Sequence, residues 1–299
     1  MLKFKHDKPM AGSEAEDINT RFDDFLRAFK KQKTAVAAFV VLIILVFIAI
    51  FCYKIAPYGI NEYDYSACLQ GPSMAHWFGT DEFGRDMFSR VLCGTRISLS
   101  IGFSTVTVAA VIGSILGLIS GFYGGFLDTV LMRLTDVMYA FPGLILAIAI
   151  VAILGPGLTN VVIAIIIFCI PTYTRLVRSC TLQLKNSVYV QAAKSIGASD
   201  ARIMFRHILP GAIPDVIVQY SLSVSGSILT TASLSFLGMG AMSPTPEWGL
   251  MLSNSRTYFF TALHYALFPG LAILVTVLCF NLLGDGLRMA LDPKLNDRS

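Results

Sequence analysis

The chain has 299 residues, of which 55% are hydrophobic and only 14% charged, and its mean hydropathy is +0.67. Soluble domains carry roughly 25% charged residues; here the charges cluster in a few segments with long uncharged runs between them, which excludes an ordinary soluble enzyme. The net charge of +4 is too small, and too little associated with aromatics, to indicate nucleic-acid binding.

Taken in order, residues 1–34 are polar and charged. They are too long for the basic opening of a cleavable signal peptide, so the apolar run 35–55 reads as an uncleaved first transmembrane helix. An extracytoplasmic segment over 56–96 follows. Asp81 and Arg85 lie four residues apart within it and are candidates for a simple ion pair, or for contact with an outer partner. Apolar stretches of about 20 residues, the length a hydrocarbon core demands, then recur at 97–122, 134–154, 158–177, 212–238 and 262–284. These give six spans, a core over 97–284 and a tail over 285–299. Gly113, Gly117 and Gly121 repeat every four residues, so a neighbouring backbone can approach that helix face. Pro142-Gly143 and Pro269-Gly270 should kink their helices, and Gly155-Pro156-Gly157 marks a tight hairpin. Pro171 and Arg175 should interrupt the fourth span. Asp136 is expected to pair with Arg133.

Between spans four and five lies a polar segment, residues 187–210. Tyr189–Ile196 reads as a short helix closed by Gly197. Ser199 is a cap for a second helix carrying Ile203, Met204 and Ile208, which Pro210 should end. Ala192 and Ala193 leave the first helix smooth, and Arg202 and Arg206 supply charge, which suits docking into a groove on a partner; an amphipathic segment lying on the bilayer is the alternative. In span five, Ser223, Ser227 and Thr231 share a face. They read equally as the lining of a polar pathway or as helix-packing hydroxyls.

With both termini inside, the inner segments hold 18 of the 23 Lys and Arg residues and the outer ones 5. The positive-inside rule therefore favours that direction. The six cysteines show no metal-binding spacing; Cys68 and Cys93 share one outer segment, with a disulfide between them the lesser reading.

Gln191-Ala-Ala, then Gly197, then His207-Ile-Leu-Pro210 resembles the coupling motif of bacterial ABC importer permeases: Glu-Ala-Ala, three residues, Gly, nine residues, Ile-x-Leu-Pro. Gln191 stands where Glu is usual and His207 where Ile is usual. His76–Asp86 with Arg90 and Arg96–Leu99, Leu234–Gly240 with Pro244–Gly249, and Asn281–Arg288 with Leu291–Lys294 are similar to further segments of the dipeptide, oligopeptide and nickel permeases. Thr231 and its surroundings, Ser227–Ser233, look closer to the glutathione-importing members. The resemblance implies an all-α membrane protein with the type I importer permease fold, in a bacterial inner membrane, whose coupling loop is cytoplasmic. Gln191, Ala192, Ala193, Gly197, Arg202, His207, Leu209 and Pro210 would then meet an ATPase.

No GxxxxGK[ST] sequence is present, so this chain is expected to have no catalytic residues and no cofactor or metal of its own. ATP and Mg would reside on two cytoplasmic ABC ATPase subunits. A second homologous permease and an extracytoplasmic peptide-binding protein would complete the assembly, with peptides, glutathione or a nickel chelate as cargo. An ion-coupled secondary transporter would need ionisable groups at the midplane, whereas Asp136, Asp215 and His264 fall near span ends. A membrane scaffold whose loop docks a partner is the remaining alternative.

Overall fold

A computed structural model describes residues 25–291; most of the expected segment 1–34 and the tail beyond Leu291 lie outside the described residues. Its helices are α1 (Lys33–Ile55), α2 (Met87–Tyr123), α3 (Gly125–Tyr139), α4 (Gly143–Leu154), α5 (Leu158–Leu184), α6 (Val188–Ser195), α7 (Asp200–Phe236), α8 (Trp248–Ser255) and α9 (Leu263–Leu291). No strand occurs among the described residues beyond a single bridge between Thr80 and Asp86. Five helices (α1, α2, α5, α7 and α9) are long and apolar enough to cross a membrane, and α3 with α4 makes a sixth if that pair is one span.

That pair corrects the expected third span. Instead of one kinked helix over 134–154, two helices meet at 92°. Pro142 has no N–H and disfavours helical geometry in Phe141 before it, so the chain breaks where Ala140 caps α3 on the Asp136 and Val137 carbonyls. By contrast, α5 runs through Pro171 to Leu184, α7 through Pro214 and α9 through Pro269. In those helices the surrounding helices satisfy or shield the freed backbone groups. The second span starts ten residues early, at Met87. Asp86 caps it, its carboxylate accepting from the Ser89 N–H at 2.7 Å.

The bundle is built around α2, which packs against α1, α5, α7 and α9. A methyl on Gly113 or Gly121 would come within 2.6 Å of Tyr173 Cβ or 2.7 Å of Thr181 Cβ, and one on Gly117 would strike the Thr174 carbonyl. The glycine ladder thus seats α2 directly on the α5 backbone. Leu99, Val106, Ala109, Ile165, Tyr173, Val224, Ile228 and Phe280 fill the core between these helices. Helix α1 is peripheral: only Ala35, Ala38, Leu42 and Cys52 are buried.

At one end of the bundle, residues 56–86 and 237–262 pack into a loop layer. Asp81 builds its central turn. One carboxylate oxygen accepts from the backbone N–H groups of Phe83 (2.9 Å) and Arg85 (3.0 Å), and the other accepts from Arg85 Nε at 2.6 Å. Asp81 is 0% and Arg85 1% exposed, so the pairing reading holds and neither side chain offers a surface to an outer partner. Arg90 reaches across to the carbonyls of Ile60 (2.8 Å) and Pro244 (3.3 Å). His264 and the Thr80 carbonyl join at 3.1 Å, and Trp248 donates its indole N–H to Val91 O at 3.0 Å.

Candidate functional site

At the opposite end, α5 gives way to a compact connector. Ser187 takes an extended conformation before α6 (φ −68°, ψ 152°), and its hydroxyl ties back to the Leu184 carbonyl at 2.6 Å. Gly197, with φ +80°, ends α6. Its N–H bonds Lys194 O at 3.0 Å while Ala198 N–H bonds Ala193 O at 3.1 Å, the two-bond C-cap that a left-handed residue permits. Ser199 is again extended, and its hydroxyl accepts from the Arg202 N–H. Two stops and two starts between Leu184 and Asp200 turn the chain sharply.

The second helix does not end at Pro210. A π-helical turn over Ile203–Ile208 widens the spiral, the Leu209 N–H bonds Met204 O, and Pro210 sits at the start of the α-helical run that continues to Phe236. In that position its missing N–H costs little. The connector is therefore joined to a transmembrane helix without a hinge.

Apolar contacts pin its inner side: Val190, Ile203, Met204 and Ile208 pack with Leu118 and Val177. The root is tied by charge. Arg178 donates Nε and Nη2 to the two carboxylate oxygens of Asp128 at 2.6 and 2.7 Å, Ser120 donates to the same carboxylate at 2.5 Å, and Lys185 Nζ donates to Gly121 O at 2.9 Å. These bonds join the ends of α2 and α5 to the start of α3. Nearby, Asp136 pairs with Arg175 at 2.5 Å rather than with Arg133 as expected, and Arg175 stacks 4.3 Å from the Tyr139 ring centre.

The outer side is open. Ala193, Gly197, Arg202, Arg206 and His207 surround one recess of about 420 Å³. Gln191 and Ala192 are exposed on the outward face of α6, whereas Ala193 is only 6% exposed. Of the two alanines expected to meet a partner, only Ala192 lies on the surface. Gln191 donates its amide N–H to Lys185 O at 3.2 Å, a bond a carboxylate in that position cannot give. Leu209 and Pro210 lie below the recess, in the first turn of the α-helical run. The motif reading missed Val188 and Ile196, 87% and 86% exposed. Their signal was available: apolar residues at both ends of a short polar helix have no buried face to join.

The three hydroxyls proposed as a lining behave differently. Ser227 is buried and shares a 2.7 Å hydrogen bond with Thr105, Thr231 is buried, and Ser223 is half-buried, accepting from Gln219 Nε2 at 3.1 Å. Ser227 and Thr231 are thus enclosed between helices, while Ser223 stays half-open with its partner on the same helix. The open face of α7 carries Asp215, Gly226 and Leu229, with Gln219, Leu222 and Ser233 half-exposed. It is offset from the hydroxyl face by one residue, about 100° around the helix. At the connector end this face borders a cavity of about 450 Å³, lined by Leu176, Asp215, Gln219, Leu222 and Arg288.

Residues 113–297 match the family described as binding-protein-dependent transport system inner membrane component, and residues 20–72 match the N-terminal transmembrane domain of oligopeptide transport permease C. The glutathione transport system permease protein GsiD of Pectobacterium atrosepticum is 52% identical over 281 residues, 94% of this chain and 93% of its own length. GsiD of Escherichia coli O157:H7 matches to the same extent. Among solved structures, an inward-facing form of the MetNI methionine ABC transporter aligns with a TM-score of 0.55 at 18% identity, covering 69% of this chain and 98% of that one; that likeness speaks to the fold alone. The chain belongs to the binding-protein-dependent transport system inner membrane components, as a transmembrane permease subunit of an ABC importer.

Proposed function

We propose that this permease forms half of a peptide pathway, takes glutathione or a similarly small peptide as cargo, and is driven through its connector by separate ATPase subunits. The connector carries the reading. A rigid knob with a basic-rimmed recess and two exposed apolar residues, Val188 and Ile196, has the features of a docking surface. Its continuity with α7 gives any motion of the knob a direct route into the bundle. The excess of Lys and Arg in the segments at this end supports a cytoplasmic connector, with both termini on the same side.

ATP and Mg belong to two partner ATPases, a second permease supplies the other half of the pathway, and an extracytoplasmic binding protein delivers cargo to the loop layer. The 450 Å³ cavity beside Asp215, Gln219 and Arg288 is this chain's share of the route near the cytoplasmic end; uncharged and oppositely charged groups together let a zwitterion pass without trapping it. The cargo assignment follows the two relatives named as glutathione permeases.

The test is reconstitution in liposomes with the partner permease, the ATPases and the binding protein. ATP-dependent uptake of labelled glutathione, lost when either ATPase or binding protein is omitted, is the expected result. Gradient-driven uptake by this chain alone would overturn the reading; uptake of long peptides, with neither glutathione nor dipeptides carried, would overturn only the cargo.

A further inference from the structure

All six cysteines are free among the described residues, and the loop-layer pairing considered from sequence is not the one the fold arranges. Cys68 is exposed, its thiol donating to the Tyr65 carbonyl at 3.4 Å. Cys93 instead lies in the second turn of α2, on the face it shares with Ser89 and Arg96, which meet Tyr58 and Tyr53 on either side of the turn that follows Cys52, three residues before the end of α1. Both are buried, at 0% for Cys52 and 2% for Cys93.

Independent contacts hold the two helices together here. The Tyr58 N–H donates to Ser89 Oγ at 3.2 Å, and the Arg96 guanidinium stands 5.5 Å from the Tyr53 ring centre. On its far side α2 is fixed by Trp248 packed against Gly94. The two cysteines therefore lie between anchored segments, at the loop-layer end of a helix on the periphery of the bundle.

We propose that Cys52 and Cys93 are an oxidisable pair whose disulfide staples α1 to α2 at the loop layer. The inference rests on the reading above that this layer faces the extracytoplasmic side, where disulfides persist. The two thiols lose two protons and two electrons as one S–S bond forms, and the oxidant, a protein disulfide of that compartment, leaves as a dithiol. Exchange proceeds through a mixed disulfide, which requires one thiol to be reachable. It therefore occurs before α1 has settled on α2, and packing then shields the bond. The staple closes the loop carrying residues 56–86, restricting the unfolded chain in the region that positions the Asp81 turn.

The experiment uses the full chain in its own membranes, quenched at harvest with N-ethylmaleimide under denaturing conditions, then digested for mass spectrometry. A second sample comes from cells given diamide while the chain is being synthesised, so that the oxidant meets the thiols before packing shields them; diamide accepts the two electrons and two protons as its N=N bond becomes a hydrazine. A Cys52–Cys93 linked peptide should be present at harvest, become the major form with diamide, disappear with dithiothreitol, and be absent from both Cys52→Ser and Cys93→Ser. Complete alkylation of both residues after diamide would overturn the proposal, as would linkage of Cys93 to Cys68. Linkage only after diamide would place the layer in a reducing compartment and overturn the staple as a feature of the cell. No transport is measured, so a failure of the importer reading leaves this result intact.

Discussion

At the loop layer the protein buries charge: Asp81, Arg85, Asp86 and Arg90 are each at most 2% exposed, and Glu247 is 1% exposed. At the connector it exposes apolar surface, with Val188 and Ile196 more than four-fifths open. Buried charges are costly unless every partner is in place, so the loop layer specifies its shape from within. Exposed apolar residues on a rigid support are unsatisfied until something covers them. The loop layer also leaves Met74 and Phe260 open, 95% and 99% exposed, so both ends present apolar surface and only the loop layer is braced by buried charge.

The contrast breaks most forcefully at Asp81. Asp81→Ala leaves Arg85 and Arg90 buried without their shared carboxylate and should cost about 3–5 kcal/mol, measured as a lower thermal midpoint of the detergent-solubilised protein. An unchanged midpoint would mean the layer is not self-supporting. Next come the two neighbouring alanines. Ala192→Glu, on the open face, should leave the midpoint unchanged while lowering ATP-driven uptake about tenfold, equivalent to about 1.4 kcal/mol. Ala193→Glu forces a charge into the packed side and should lower the midpoint as well; identical behaviour of the pair would erase the distinction between faces.

Asp128→Asn weakens the root of the connector. Its carboxylate and Arg178 are 18% and 29% exposed, so solvent screening holds the loss to about 1 kcal/mol. The exchanged pair Asp128→Arg with Arg178→Asp should recover part of it in a double-mutant cycle. The smallest effect is at Glu247. Burial pushes its carboxyl above the ordinary 4.5, against the pull of hydrogen bonds from the Gly249 and Leu250 N–H groups. The folded state therefore holds the proton more tightly than the unfolded one. Stability associated with this group is fully present below about pH 4.5 and is lost as pH rises through its raised folded value. Glu247→Gln should flatten that slope in pH-dependent melts.

Composition and charge counting made the spans legible, and motif spacing made the connector legible, because both depend on local sequence. What stayed hidden depended on neighbours. Pro142 and Pro171 look alike in sequence, yet one breaks a helix by 92° and the other is absorbed. The two readings of the α7 hydroxyls stayed level in sequence because the partner of Ser227 lies on α2, at Thr105, 122 residues away. Asp136 found Arg175 rather than the nearer Arg133 for the same reason. The burial of Ala193 beside an exposed Ala192 reflects how α6 is rolled against Ile203 and Met204, which no spacing rule states.

The unbroken run from Asp200 to Phe236 has a mechanical consequence. At about 1.5 Å per residue its 37 residues make a rod about 55 Å long. A tilt of about 5° at the connector would carry the far tip by about 5 Å, roughly the rise of one helical turn. Under the proposed function, displacement at the connector is converted to travel at the other end by leverage, with no separate relay between them.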